Sequence, residues 1–216
     1  MSIRKVSFVF GEYYHIYNRG NDKRVIFHDT QDYKRFISLL YLSSAKRNFR
    51  ISDISSNVYN FDQKDKLVYI GSYCLMSNHF HLIITQTEDG SISKFMQKLT
   101  TAYSMYYNKK YKRTGSLFEG KFKSQHTGDD RYLKYLFSYI HLNPIKIIQK
   151  DWKEVGIKDK QKSIDFLKSY KYSSYIDYFG IKREENKILN IKAFPNYFPS
   201  KEKFQKEIFE WLSYNK

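Results

Sequence analysis

Cysteine, proline and glycine are scarce in this chain, whose 216 residues contain one, three and nine of them respectively. The single cysteine, Cys74, cannot close an intramolecular disulfide or supply the several thiolates of a structural zinc site, which favours a reducing, cytosolic setting. The low proline and glycine content excludes collagen-like and linker-like chains. Residues 1–11 lack the apolar core of a signal peptide, and no run approaches the ~18 apolar residues of a membrane span. We therefore expect a cytoplasmic protein that does not span a membrane.

Acidic residues are also few, since 22 Asp and Glu face 38 Lys and Arg and leave a net charge of +16. Such an excess is best matched by a polyanionic partner, with nucleic acid as the first candidate and an anionic membrane surface as the second. Hydrophobic residues make up 41% of the chain and aromatic residues 19%, which excludes a disordered protein. The sequence therefore encodes a folded basic protein, long enough to bury a sizeable core.

The spacing of apolar residues predicts alternating strands and helices up to Pro144. The predicted elements are a strand over 12–18, a helix from Asp29 or Thr30 to 46–48, a hairpin of 67–75 and 79–85, a helix from Ser91 to Tyr111, a short β-like piece over 116–125 and a helix from Asp129 or Asp130 to Pro144. This order is the split βαβ arrangement of ferredoxin-like folds, an α+β class. We expect an antiparallel sheet with helices on one face and a second face free for a ligand.

The rest of the chain is less regular, and it divides into an insertion and an extension. Residues 50–66 are polar and patternless, which predicts a loop or insertion. We divide the chain into a domain of residues 1–150 and a C-terminal extension of residues 151–216. The extension contains a basic, weakly patterned stretch, the aromatic segment Tyr170–Gly180 and a last helix after Pro199 and Ser200. That helix has four apolar residues on one side, which are Phe204, Ile208, Trp211 and Leu212.

The sharpest local feature is the tripeptide His79-Phe80-His81. On a strand, residues i and i+2 point to the same face, so both imidazoles project together while Phe80 points into the core. Two neutral imidazoles side by side supply half of the ligands of a divalent metal. The alternative is a pair of polar residues on the wet face of a half-exposed strand, which is common for an isolated motif of this kind.

The third predicted helix carries Tyr139 and Asn143, which are four residues apart and therefore lie on one side of it. A phenol is a weak nucleophile near neutral pH and needs an electrophile that is already activated, for example by a metal. The amide oxygen of Asn143 is a candidate third ligand beside the two histidines. The alternatives are that Tyr139 is one more of the 21 tyrosines and that Asn143 ends the helix before Pro144.

A basic segment with glycines lies between these two motifs, and its only acid is Glu119. Glycines let a phosphate backbone approach closely, and Phe118 and Phe122 are candidate stacking surfaces for bases. The alternative is a solvated charged loop without a partner. The cations of this segment are Lys109, Lys110, Lys112, Arg113, Lys121 and Lys123.

Together these segments resemble the single-tyrosine HUH transposases of bacterial insertion sequences, and most closely the REP-associated tyrosine transposases. The resemblance rests on four ordered blocks, which are Tyr14–Gly20 (YHIYNRG), Tyr73–Leu82 (YCLMSNHFHL), Gly115–Ser124 (GSLFEGKFKS) and Tyr139–Pro144 (YIHLNP). The run Tyr172–Tyr175 (YSSY) resembles an element that follows the catalytic domain in the REP-associated group. The resemblance covers residues 13–180 and implies that residues 1–150 form a catalytic domain.

The resemblance implies cleavage and rejoining of single-stranded DNA, usually beside an imperfect hairpin. Tyr139 would attack a phosphodiester, form a 5′-phosphotyrosine link and free a 3′-hydroxyl. His79 and His81 would be metal ligands, Asn143 would take the place of the polar third ligand, and the metal would be Mg²⁺ or Mn²⁺. Arg19, from the first block, would join the basic segment in binding DNA. Members of this group often act as dimers and would be found with the bacterial nucleoid.

The chain departs from the family pattern in a few places, and other functions stay open. Glu119 and Lys121 stand where the family has Gln and Arg, and Tyr172 stands where Trp is common. His15, His126 and His141 lie near the motifs and are expected to be structural. One alternative function is a repressor or architectural factor that binds DNA without turnover. Another is an RNA-binding module, which would carry exposed aromatic residues at central strand positions.

Overall fold

The computed structural model of the chain describes residues 7–54 and 57–210. Its strands are β1 (Tyr13–Arg19), β2 (Val68–Met76), β3 (His79–Gln86) and β4 (Lys123–His126). Its α-helices are α1 (Thr30–Ser44), α2 (Ser91–Lys110), α3 (Asp130–Leu142), α4 (Trp152–Val155), α5 (Lys160–Ser169), α6 (Tyr175–Tyr178) and α7 (Lys201–Glu207). Within the described ranges, no helix is both long enough and apolar enough to cross a bilayer.

The four strands form one antiparallel sheet in the order β2-β3-β1-β4. This is the strand order of a ferredoxin-like fold, so the predicted α+β class and split βαβ arrangement are confirmed. The register places Tyr17 opposite His81 and Arg19 opposite His79. The end of β1 therefore lies beside the start of β3, where the two histidines lie.

The predicted starts of α1 and α3 are confirmed, and each has a capping carboxylate. The side chain of Asp29 accepts hydrogen bonds from the backbone N–H groups of Gln31 and Asp32 at the start of α1. Asp129 accepts one from the N–H of Tyr132 at the start of α3. The α-helical part of α3 ends at Leu142, and the chain continues through Pro144 as a 3-10 turn over Asn143–Ile147.

One face of the sheet packs on α1 and α2. The alternation of β1 and β3 places Tyr14, Ile16, Phe80, Leu82 and Ile84 on this face, all of them buried. Burial of each large apolar side chain contributes ~1.5–3 kcal/mol to folding, so this layer is the main core.

The second face is not free of helices, which differs from the expectation that helices cover one face alone. Helix α3 packs there with an apolar stripe of Leu133, Leu136, Phe137 and Ile140 against Cys74, Met76 and Ile83 of the sheet. The reason is that this stripe needs an apolar partner, and the sheet offers one where β2 and the middle of β3 carry buried apolar residues. The start of β3 carries His79 and His81 instead, and that part of the face stays open.

The last strand is shorter than the predicted segment over 116–125, because its first part is a loop. Gly115 and Gly120 adopt positive φ angles of 83° and 64°, which break an extended conformation. Before β4, the segment is tied to the sheet by an isolated bridge between Gly20 and Phe118. The loop therefore lies across the end of β1.

The C-terminal extension packs along the outer edge of β2. The N–H of Leu75 donates to the Tyr172 carbonyl at 2.9 Å, and the N–H of Tyr73 donates to Ser174 Oγ at 2.9 Å. Helix α5 lies in the stretch where the sequence shows only weak patterning. Phe204 of α7 and Ile208 after it are buried, whereas Trp211 and Leu212 of the predicted last helix lie outside the described residues.

Candidate active site

An open cleft of about 370 Å³ lies where the ends of β1 and β3 meet the end of α3. A cleft of this size takes a ligand of small-molecule or nucleotide dimensions. Its lining consists of Tyr17, Asn18, Arg19, Lys23, Asn78, His79, His81, Glu119, Lys123, Tyr139, Asn143, Lys146 and Lys153. The sequence-predicted nucleophile and all three predicted metal ligands are therefore in one place.

His79 and His81 project from the same face of β3, and their ring centroids are 5.1 Å apart. His79 Nδ1 lies 2.6 Å from Asn78 Oδ1, and His81 Nδ1 lies 2.9 Å from His15 Nε2. Because the Nδ1 atoms are occupied by these partners, Nε2 is the remaining ring nitrogen of both histidines. Supporting hydrogen bonds of this kind fix the orientation and tautomer of histidine metal ligands.

Burial keeps the imidazoles of the cleft neutral. Burial, together with the charges of Lys146, Lys153 and Arg19, lowers the pKa of His79 to about 4. Burial, with the neighbouring histidines and Lys153, holds the pKa of His81 well below its ordinary value. The neutral form is the one that binds a metal.

Asn143 is the third polar group on this side of the cleft. It is 2% exposed and follows the last residue of α3, one turn after Tyr139. Among residues 7–54 and 57–210, no three His, Cys, Asp or Glu side chains form a group that can hold a metal ion. A metal in this cleft would therefore take two imidazoles and an amide oxygen from the protein. Such a donor set suits a divalent ion that completes its shell with water or phosphate oxygens.

Tyr139 reaches the cleft from the open side of α3. Its ring lies edge-on to His81, with 5.9 Å between centroids and an angle of 82° between planes. The phenolic oxygen accepts a hydrogen bond from Lys153 Nζ at 2.7 Å. The side chain is half-buried, so its oxygen stays accessible from the cleft.

The cleft is strongly basic, because five cations line it beside a single acid. The cations are Arg19, Lys23, Lys123, Lys146 and Lys153. The acid, Glu119, is paired with Arg19, whose Nη2 lies 2.9 Å from Glu119 Oε1, while a second contact joins Arg19 Nε to Oε2. The surplus charge suits the phosphates of a nucleic acid strand.

The remaining cations of the predicted DNA-binding set lie outside the cleft lining. Lys109 and Lys110 are at the end of α2, and Lys112 and Arg113 follow it. Lys110 is held in ion pairs with Asp29 at 2.8 Å and Asp32 at 2.7 Å. Lys121 lines an adjoining groove between α2 and the loop before β4.

Sequence reasoning did not single out Lys23, Lys146 or Lys153. Lys23 belongs to a short turn after β1 whose backbone has a positive φ of 58°. Lys146 follows Pro144, the last residue of the fourth motif, by two residues. This closeness to the motif could have identified it as a candidate site residue. Lys153 lies in the extension, in a stretch whose pattern gave no indication of a place in the cleft. His15, expected to be structural, is buried behind His81 and bonds to it.

Comparisons with known proteins identify a family that includes this chain and a solved structure with a similar fold. A model of the family described as "Transposase IS200 like" matches residues 8–143, more than half of the chain. A solved structure of a REP-associated tyrosine transposase bound to a REP hairpin matches with a TM-score of 0.55 and 12% identity. That match covers 86% of this chain and 90% of the other. No curated protein matches the sequence.

Proposed function

This chain belongs to the IS200-like transposases, and on that premise we propose that it cleaves and rejoins single-stranded DNA beside a hairpin through a covalent link to Tyr139. One observation carries the proposal. The phenolic oxygen of Tyr139 and the amide of Asn143, at the end of α3, lie in the same basic cleft as His79 and His81, which come from β3. A tyrosine beside neutral imidazoles and surplus cations has what phosphodiester cleavage requires.

The proposed reaction exchanges one phosphate ester for another. Tyr139 Oη attacks the scissile phosphorus, the phenolic O–H bond breaks and its proton passes to solvent. The bond from phosphorus to the 3′ oxygen breaks, and that oxygen takes up a proton to become a 3′-hydroxyl. The 5′ end of the DNA stays on Tyr139 as a phosphotyrosine. Rejoining reverses these steps, so no water enters as a reactant.

His79, His81 and Asn143 would hold the metal, with Mg²⁺ and Mn²⁺ as the candidate ions. When bound, such an ion supplies polarisation of the scissile phosphate for in-line attack. The protein's share is to keep both imidazoles neutral and oriented through Asn78 and His15. The protein ligands carry no charge, so the phosphate itself would be the anionic partner of the ion.

The charge of the cleft supports a DNA substrate. Lys23, Lys123 and Lys146 line it, and the whole chain carries +16. On β3, one of the two central strands, His79 and His81 occupy positions where a sheet-based RNA-binding module would present aromatic rings, which supports the catalytic alternative. We take the hairpin from the solved relative, which is bound to one, and propose residues 1–150 as the catalytic domain.

The test is covalent capture of labelled DNA. The purified protein is incubated with single-stranded hairpins from the sequence flanking its own gene, with Mn²⁺, with Mg²⁺ or with a chelator. We expect an adduct that survives denaturation, requires the metal and disappears in Tyr139→Phe. Tyr135→Phe is the matched control, because its ring lies 6.1 Å from Tyr139 on the same helix. Tight binding without an adduct for any hairpin or metal would instead identify a non-catalytic DNA-binding protein.

A further inference from the structure

We propose that Lys153, supplied by the C-terminal extension, is a catalytic residue that stabilises negative charge on the phenolic oxygen of Tyr139. The inference rests on the proposed tyrosine chemistry and assigns to it a residue from outside the four sequence blocks. It also gives the extension a role in the reaction, since the cleft is incomplete without α4.

The geometry that carries this inference is the contact of Lys153 with the reacting atom. Lys153 Nζ lies 2.7 Å from Tyr139 Oη and 4.3 Å from the centroid of the phenol ring. A hydrogen bond from a charged donor is roughly twice as strong as one between neutral groups, and its strength rises as charge develops on the acceptor. The ammonium therefore lies where the oxygen becomes anionic.

The backbone beside Lys153 is anchored. The neighbouring side chain, Trp152, is 2% exposed and packs in a cluster with Leu142 and Ile145 at the end of α3. Gln149 Nε2 donates to the Gly156 carbonyl at 2.7 Å, which closes the turn that holds α4. The position of Lys153 relative to Tyr139 therefore follows from packing between the extension and α3, although its side chain is exposed to the cleft.

The charge of Lys153 is not neutralised by the protein. Throughout residues 7–54 and 57–210, no carboxylate forms an ion pair with it, whereas Arg19 in the same cleft is paired with Glu119. An unpaired ammonium beside a phenolic oxygen is suited to a reaction in which that oxygen is first a nucleophile and then a leaving group.

The same contact serves both directions of the reaction. In cleavage the phenolic O–H bond breaks as the Oη–P bond forms, and the ammonium stabilises the charge on Oη before the bond is complete. In rejoining the 3′-hydroxyl attacks phosphorus, loses its proton to solvent, and the Oη–P bond breaks. The departing phenolate then takes a proton from solvent while Lys153 Nζ–H remains its hydrogen-bond donor. Loss of Lys153 should therefore slow cleavage and rejoining alike.

The test compares Lys153→Gln and Lys153→Arg with the unmodified protein in single-turnover cleavage and rejoining at saturating hairpin DNA. Removal of a donor to a developing oxyanion costs about 10²-fold in rate, and we expect that loss in both directions for Lys153→Gln. Hairpin affinity should change far less than the rates, and Lys153→Arg should recover much of the loss. Lys150→Gln, an exposed charge outside the cleft lining, is the matched control for net charge.

Chemical rescue separates the ammonium from a merely structural side chain. The chain has one native cysteine, Cys74, which is fully buried, so the thiol of a Lys153→Cys variant can be alkylated selectively with 2-bromoethylamine. The product carries an ammonium at nearly the length of lysine. We expect the variant to be slow before alkylation and to regain both rates after it, while unmodified protein treated in the same way does not change.

Two results would overturn the inference in different ways. Equal rates for Lys153→Gln and the unmodified protein, or slow rates that neither arginine nor alkylation restores in a folded variant, would remove Lys153 from the chemistry and leave the proposed function intact. Absence of any Tyr139 adduct in the unmodified protein would overturn the proposed function, and the inference with it.

Discussion

His15 Nε2 lies 2.9 Å from His81 Nδ1, and the contact joins two buried side chains of the neighbouring strands β1 and β3. When the proton of His81 is on Nδ1, that atom donates to His15 and the lone pair of its Nε2 is left for a metal. Burial lowers the pKa of His15 to about 4, so His15 is a neutral partner near pH 7. His15 thus positions a metal ligand without lining the cleft.

We predict that His15→Phe raises the Mn²⁺ or Mg²⁺ concentration needed for half-maximal adduct formation by about 10- to 100-fold, the usual effect of losing such a partner. The phenyl ring fills similar space but cannot accept a hydrogen bond. His126→Phe is the control, because His126 is an exposed residue of β4 paired with Glu12. An unchanged metal requirement in His15→Phe would show that His81 is oriented without it.

Glu119 should weaken DNA binding by neutralising Arg19. We predict that Glu119→Gln tightens hairpin binding about two- to fivefold at low salt, the range expected for one exposed ion pair. Arg19 would then be free to make one further phosphate contact. The slope of the logarithm of the binding constant against the logarithm of the salt concentration should therefore steepen by about 0.7, the value for one contact with a single strand. Binding titrations across a salt series measure both quantities.

The control for Glu119→Gln is Glu88→Gln, which breaks a surface ion pair with Lys46 of similar exposure on another part of the molecule. It should leave DNA affinity unchanged. Weaker binding by Glu119→Gln would mean that the carboxylate orients Arg19 for DNA instead of competing with it.

Gly20, the last residue of the first sequence block, is required by close packing. Its φ is −61°, so backbone strain is not the reason. A Cβ at this position would collide with the Arg24 carbonyl oxygen and lie 2.8 Å from Ile26 Cγ2. We predict that Gly20→Ala lowers the free energy of unfolding by about 1–3 kcal/mol in urea titrations. As a control, replacement of the exposed Thr101 of α2 by alanine should change the free energy of unfolding by less than about 0.5 kcal/mol. Equal effects of Gly20→Ala and Thr101→Ala would contradict this account.

Asp32 is a buried carboxylate that ties α1 to α2. It accepts hydrogen bonds from Lys110 Nζ at 2.7 Å, Tyr111 Oη at 2.7 Å and the N–H of His28 at 2.8 Å. Burial raises the pKa of Asp32, but these bonds outweigh it and hold the pKa below its ordinary 3.8. The stabilisation is therefore present above about pH 4 and is lost as the pH falls through the lower pKa of the folded state.

We predict that Asp32→Asn lowers the free energy of unfolding by about 1–3 kcal/mol at pH 7, because it leaves Lys110 without one of its two ion pairs. The difference from the unmodified protein should persist down to pH 5 and shrink below pH 4, where that carboxylate takes up its proton. Denaturant titrations at several pH values measure this, with exposed Asp165→Asn as the control. If the difference in the free energy of unfolding between Asp32→Asn and the unmodified protein grew at acid pH, the account of Asp32 would be wrong.

The sequence predicted the fold to the extent that local signals agreed with one another. Alternating residues in β1 and β3, and the caps Asp29 and Asp129, are local, and the structure confirms the elements they mark. Helix α3 packs on the sheet face opposite α1 and α2, against residues near the end of β2. The periodicity of apolar residues along a helix shows that one side is buried, but it does not show which face of the sheet buries it. The loop before β4 depends on positive φ angles at Gly115 and Gly120. Its residues have a β-like composition, so the sequence predicted an extended segment there and not a loop.

For the site, the sequence motifs identified the residues of the cleft that belong to the motifs themselves. They missed residues from other parts of the chain that reach the cleft only through tertiary packing. Tyr139, His79, His81 and Asn143 all line the cleft, as their motifs predicted. Lys153 reaches Tyr139 because Trp152 is buried against the end of α3, a contact between distant packing surfaces. Lys110, in contrast, belongs to a basic run in sequence but is paired with two aspartates in the fold.

The most direct test of the central claim is to digest the covalent protein–DNA product with a protease and locate the nucleotide by mass spectrometry. Our account predicts a single modified peptide, with a 5′-phosphate ester on Tyr139, together with a released strand that ends in a 3′-hydroxyl. Attachment to another residue, or a released strand with a 3′-phosphate, would contradict it.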